Sequence, residues 1–213
     1  EEKIKQLQVP FVLSTIGKAE VQAENGASVS VDDFLESYKM TQYLIELGHD
    51  RIALITAPKE DKSIGSLRLL GYKKALEDHG IPYREELIQY MNAEEDRYSF
   101  RSGYKLAGKL LEKTTFSALY AVSDSLAIGA CRALKEAGVS VPEQCSVAGF
   151  DGTEEGEFYI PKITTIRQPV ECIAKATADI LFDMILNKKP PRNIVFPGEL
   201  LPRESTGKHS FNT

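Results

Sequence analysis

Two kinds of apolar pattern alternate along this chain. Short continuous runs mark buried strands, and stretches with apolar residues three and four apart mark helices. Arg51–Thr56 (RIALIT), Leu87–Tyr90, Ser117–Val122 and Ser146–Phe150 have strand length. Helical patterns lie between them at 65–79, 97–111 and 125–137, and another at 34–47 precedes the first run. Gly48, Gly80 and Gly138 stand where three of these helices stop. Asp32 or Asp33 is placed to cap the helix at 34–47, and Asp124 to cap that at 125–137.

The stretch Phe116 to Gly152 predicts one complete βαβ unit, with parallel strands and a right-handed crossover. Strand and helix alternate four times, so the fold class is α/β with a doubly wound parallel sheet. In such sheets ligands gather outside the carboxyl ends of the strands. Ser123, Asp124 and Asp151 fall there, which points to a small polar ligand.

The flanking pattern is looser. Residues 1–8 read as the end of a helix, Val9–Leu13 as a strand, 17–27 as a long polar loop and Val29–Val31 as a short strand. After Phe150 come an acidic loop at 151–161 and an extended piece at 163–166. A break at Arg167-Gln168-Pro169 follows, then a long helix over 170–186 that Pro190-Pro191 ends. Extended pieces at 193–197 and 199–201 precede a frayed tail from 208.

Charge and chemistry narrow the function. The 213 residues carry a formal net charge of −5 and a pI near 5.4, so the chain as a whole is no electrostatic binder of nucleic acid. No apolar run has the length of a membrane span. Cys131, Cys145 and Cys172 are odd in number and match no zinc spacing; they read as buried thiols in a reducing cytoplasm. His49, His79 and His209 are scattered, and His49 reads as a helix C-terminal residue facing the macrodipole. No glycine-rich phosphate loop follows a strand, and no Ser, His and Asp set supplies a nucleophile with its base. No catalysis, metal or cofactor is therefore expected.

Six segments in order resemble those of LacI/GalR-type bacterial transcriptional regulators. They are Leu47–Ile55 (LGHDRIALI), Arg68–Tyr72 (RLLGY), Ala121–Gly129 (AVSDSLAIG), Val139–Asp151 (VSVPEQCSVAGFD), Ile163–Pro169 (ITTIRQP) and Leu201–Thr206 (LPREST). The resemblance implies a periplasmic binding protein-like core. In it two α/β subdomains, joined by three crossings, hold a small effector in their cleft. The N-terminal subdomain would be 1–31 plus 166–192 and truncated. The C-terminal, effector-binding one would be 32–165 plus 193–213 and nearly complete. No counterpart of the helix-turn-helix reader is found, so the chain is expected to be a fragment of a longer regulator that begins inside the N-terminal subdomain.

The same resemblance implies contacts to a sugar or sugar derivative from Arg68 and Asp151. A guanidinium fork and an acceptor carboxylate suit paired hydroxyls. Ser123 stands where the family commonly has Asn, and its shorter side chain makes fewer bonds. Phe150 is placed to stack on a sugar face, Gln168 to touch ligand at the second crossing, and Asp124 to join the site or cap its helix. Tyr159 is expected to shape the cleft or a dimer surface. The implied partners are the effector, a second copy of the chain, and operator DNA through the missing reader, all in the cytoplasm. Two other classes share the pattern: a periplasmic sugar-binding transport receptor, and a Rossmann-like enzyme, which would need the phosphate loop or catalytic set that is missing.

Overall fold

The apolar runs become neighbouring parallel strands. A computed structural model describes residues 7–15, 23–61, 64–92 and 97–209, so the helical reading of 1–8 falls almost entirely outside the described residues. A first sheet is built from β1 (Phe11–Ser14), β2 (Gly26–Val31) and β8 (Ile194–Phe196), with β2 in the middle and all pairs parallel. β2 is longer than its Val29–Val31 core suggests. Its sequence GASVSV is buried throughout because it is flanked on both edges. Ser28 tolerates burial because its N–H and Oγ donate to Asn193 Oδ1 at 3.0 and 3.2 Å. That side-chain clasp also explains why 194–196 pairs with β2 and stands in the first sheet, whereas the boundary drawn at 193 would place it with the second. Helix α6 (Val170–Leu186) lies on β1 and β2 through Ile173, Ile180 and Met184.

The second sheet holds β3 (Ile52–Thr56), β4 (Ile88–Tyr90), β5 (Ala118–Ala121) and β6 (Ser146–Ala148), in the spatial order β4-β3-β5-β6 and parallel throughout. From β3 the chain winds first outward to β4, then back across to β5 and on to β6. With right-handed crossovers this sends the connecting helices to opposite faces. Helix α1 (Asp33–Glu46) packs on α2 (Ile64–Asp78), and α3 (Phe100–Lys113) on α4 (Asp124–Glu136). Ile52, Leu54, Leu119, Tyr120 and Val147 fill the layer between them. The strand order reverses between β3 and β5, and a crevice opens there at the carboxyl ends.

The α3–α4 crossing is close because two glycines face each other's backbone. A Cβ on Gly103 would lie 2.1 Å from Leu126 O, and one on Gly129 would lie 2.0 Å from Phe100 O. Gly129→Ala must therefore push the helices apart. It should cost about 1–3 kcal/mol, the usual toll of overpacking, read as a lower denaturant midpoint; an unchanged midpoint would show that the crossing gives way freely.

The two sheets are linked by an antiparallel pair, β7 (Thr165–Arg167) with β9 (Glu199–Leu201). Bridges Ala148–Thr164 and Asp151–Arg167 tie the approach to β7 along the edge of β6. The acidic stretch expected as a loop contains a short helix, α5 (Glu154–Phe158), whose cap Thr153 Oγ1 accepts from Gly156 N at 3.3 Å. Two other expectations need correcting. Cys172 is exposed, while Cys131 and Cys145 are buried, and all three are free thiols. His49 does follow the C-terminal end of α1, its N–H donating to Leu44 O at 3.2 Å, but burial and not the macrodipole governs its charge. It is 3% exposed and wedged between Ser117 Oγ (2.9 Å from Nδ1) and Ser146 Oγ (3.0 Å from Nε2), and burial lowers its pKa to about 4. Among the described residues no helix is long and apolar enough to cross a membrane, and no group of three or more His, Cys, Asp or Glu could hold a metal ion.

Candidate functional site

Side chains that follow β3, β5 and β6 meet at the crevice. Arg68 stands in α2, just after β3, and its side chain is 5% exposed. Its Nε donates to Asp33 Oδ1 at 2.8 Å, and Nη2 lies 2.8 Å from the same oxygen. Nη1 donates to Val122 O at 2.6 Å, at the end of β5. The guanidinium lies over the Phe150 ring, with Cζ 3.5 Å from the ring centroid. The backbone beneath is held as well, because Ser37 Oγ donates to Arg68 O at 2.6 Å. Arg68 is thus fixed from four directions before any ligand arrives.

Asp151 follows β6 and faces Arg68 from across the crevice, its Oδ1 lying 3.9 Å from Nη1. Its φ of 119° lies in the left-handed region that favours glycine. Two backbone bonds hold it there: Asp151 N–H donates to Ile166 O at 2.9 Å, and Gln168 N–H to Asp151 O at 3.1 Å. Gln168 Nε2 also donates to Asp151 Oδ1 at 2.8 Å. The carboxyl is pushed up to about 6, by burial above all, with Arg68 pulling the other way. Burial likewise raises Asp33 against the pull of Arg68.

Arg68, Ser123, Asp151 and Gln168 line one cavity of about 560 Å³, a volume suited to a small ligand. Thr15, at the end of β1, also lines it, so both sheets contribute walls. Two of the expected residues stand elsewhere. Phe150 is fully buried with Arg68 over its face, so that face is closed to a sugar ring. Asp124 is fully buried behind the crevice, accepting from Thr165 Oγ1 at 2.6 Å and Thr153 N at 2.7 Å. It ties α4 to the start of α5 and to β7. Nor is Asp124 the cap of α4: Ser123 is, its Oγ accepting from Leu126 N at 3.2 Å. The backbone bond from Ala127 N to Ser123 O, 3.1 Å, makes Ser123 the cap and places Asp124 one residue inside the helix. Reasoning from sequence also missed Asp33, which holds Arg68, and Tyr98 and Thr15, which line the cavity. Only Asp33 left a signal, as the second of two acidic residues at a helix start where one cap suffices.

This architecture has known counterparts. Residues 41–206 match the periplasmic binding protein-like domain. The HTH-type transcriptional regulator MalR of Clostridium butyricum is 33% identical over 208 residues, which cover 96% of this chain and 60% of that protein. A LacI family transcriptional regulator from Enterococcus faecium, solved with bound ribose, superposes with a TM-score of 0.81 at 30% identity, covering 94% of this chain and 71% of its own. The transcriptional regulator CelR in complex with cellobiose gives 0.83 at 33% identity, covering 92% and 59%. The chain spans about three fifths of the length of such curated regulators. With that match to most of its length and those neighbours, the chain belongs to the periplasmic binding protein-like domain family, as the effector-domain core of a LacI/GalR-type regulator.

Proposed function

We propose that this chain senses a sugar or sugar derivative in the crevice and passes its occupancy to operator DNA through a reading head carried by another segment of the full regulator. One observation carries the reading. A guanidinium held by three partners and a carboxylate on a strained backbone, brought together from distant parts of the chain, share one small polar cavity. A vicinal diol can accept from Arg68 and donate to Asp151 at once, with Gln168 and Ser123 as further polar partners. The sheets act as two lobes, and the crossings after Val31, at β7 and at Gly198 are the hinges; effector closes the lobes and shifts the regulator between states of different operator affinity. The regulator naming of the relatives favours this over a transport receptor. The site acts by binding rather than catalysis, and the working unit is a dimer. Exposed Phe158 and Ile160, next to Tyr159 and near the α3–α4 surface, support a face for the second copy.

Calorimetric titration of hexoses, pentoses and disaccharides into the full-length regulator tests the reading. One sugar should bind saturably, and Asp151→Ala should weaken it about a hundredfold, the loss expected for a charged bond at a desolvated site. A sugar bound equally well by Asp151→Ala, or none bound at all, would overturn it.

A further inference from the structure

Resting on the reading of this crevice as an effector site, we infer that Asp33 makes it select an uncharged polyhydroxyl solute and refuse anions. Arg68 is the residue that would otherwise draw a phosphate or carboxylate group, since its planar fork matches those groups in two bonds. Here much of the fork is already taken. Nε and Nη2 turn to Asp33 Oδ1, both at 2.8 Å, and Nη1 already donates to Val122 O. The Phe150 ring closes one face. Two hydrogens remain for a ligand, one on Nη1 and one on Nη2; they can serve a hydroxyl oxygen or an anion, so the choice between them falls to the charge around Arg68.

The charge balance points the same way. Asp33 is a fixed buried counter-charge, its side chain 1% exposed, so Arg68 brings the crevice no net positive charge. Asp151, 3.9 Å away on the open side, makes the local sum negative. Among the described residues at the rim, Glu60 adds a negative charge and Arg97 a positive one, so the balance stays negative. An anion reaching Arg68 would have to push past Asp151 and sit close to Asp33. A hydroxyl group faces no such barrier, because it accepts from Nη1 and donates to the Asp151 carboxylate in one geometry. Asp33 touches no ligand in this arrangement; it is a specificity-determining residue that acts through Arg68.

The test is calorimetric titration of inorganic phosphate, at fixed ionic strength and near pH 7.5, into the wild-type chain and Asp33→Asn. Wild type should show no saturable binding into the tens of millimolar. Asp33→Asn keeps the shape and an acceptor oxygen but removes the counter-charge, and it should bind phosphate at least about tenfold more tightly. Circular dichroism checks folding. If Asp33→Asn does not fold, Asp33→Ser takes its place, since it also removes the counter-charge while keeping an acceptor oxygen, and it should gain phosphate affinity in the same direction. Saturable phosphate binding by wild type overturns the inference, as does a folded variant that gains none. A sugar panel run alongside judges the effector reading separately: with no sugar bound by any form that reading falls, while the phosphate comparison still decides the role of Asp33.

Discussion

Arg68→Ala should cost about 3–5 kcal/mol of folding free energy, the range for removing one partner of a buried ion pair. It should also abolish effector binding. The cost follows from what stays behind. Asp33 would keep a buried carboxylate whose charge partner is gone, Val122 O would lose its donor, and a void would open over Phe150. Asp33 would then take up a proton more readily, which limits the loss at acid pH and leaves it largest near neutrality. Denaturant unfolding at neutral pH measures the effect. The double variant Arg68→Met with Asp33→Leu should be less destabilised than Arg68→Ala alone, because it removes both charges and refills the space. A cost below about 1 kcal/mol for Arg68→Ala would mean that Asp33 finds solvent or another donor on its own.

The placement of Arg68 and Asp151 was legible because it depends on topology more than on side-chain detail. Each follows a strand, and in a doubly wound sheet strand tips share one edge. What pattern could not show was which polar residue faces the crevice and which is spent inside. Asp32-Asp33 and Ser123-Asp124 are both runs of two good capping residues. Sequence alone cannot choose between the members of each pair. In the first, Asp32 Oδ1 takes the capping bond from Leu35 N at 2.9 Å, which frees Asp33 for Arg68. In the second, Ser123 caps and Asp124 turns to Thr165 and Thr153. Each choice is made by a partner 29 to 41 positions away along the chain, beyond the reach of local pattern.

The same limit explains the fold-level misses. GASVSV reads as weakly hydrophobic, yet it is a central strand because Asn193 satisfies Ser28 from 165 residues away. The helix at 154–158 is short and rich in like charges, so its periodicity is invisible, and only the Thr153 cap and the anchoring of Thr153 N by Asp124 define it. The burial of His49 escapes local pattern for a related reason. Its position after Gly48 marks the helix end, but its burial comes from Ser117, just before β5, and Ser146, which opens β6, both far along the chain.

That buried histidine makes stability pH-dependent in a direction opposite to that of the crevice. The pKa of His49 is lowered in the folded chain, from 6.5 to about 4, mainly by burial, with the nearby His209 adding to the shift. Between those values the unfolded chain takes a proton that the folded one refuses. The stability tied to neutral His49 is therefore complete above 6.5 and falls with pH, by about 1.4 kcal/mol per unit and about 3 kcal/mol in all by pH 4. Asp151 has the reverse sign. Its carboxyl is raised from 3.8 to about 6, so the folded chain takes that proton first and stability rises as pH drops through this window. Asp33 and Asp124, also raised by burial, add to that rise. The wild-type profile between about pH 7 and pH 4.5 should thus be flatter than either component. Single variants separate them. His49→Gln, which keeps a donor and an acceptor for Ser117 and Ser146, should gain stability relative to wild type as the solution is acidified. Asp151→Asn should lose it. Denaturant midpoints across this range measure both, and parallel profiles for all three proteins would sink the assignment. Because the Asp151 step lies near 6, acidification that barely changes overall stability should still protonate the acceptor facing Arg68, so effector affinity falls before the fold does.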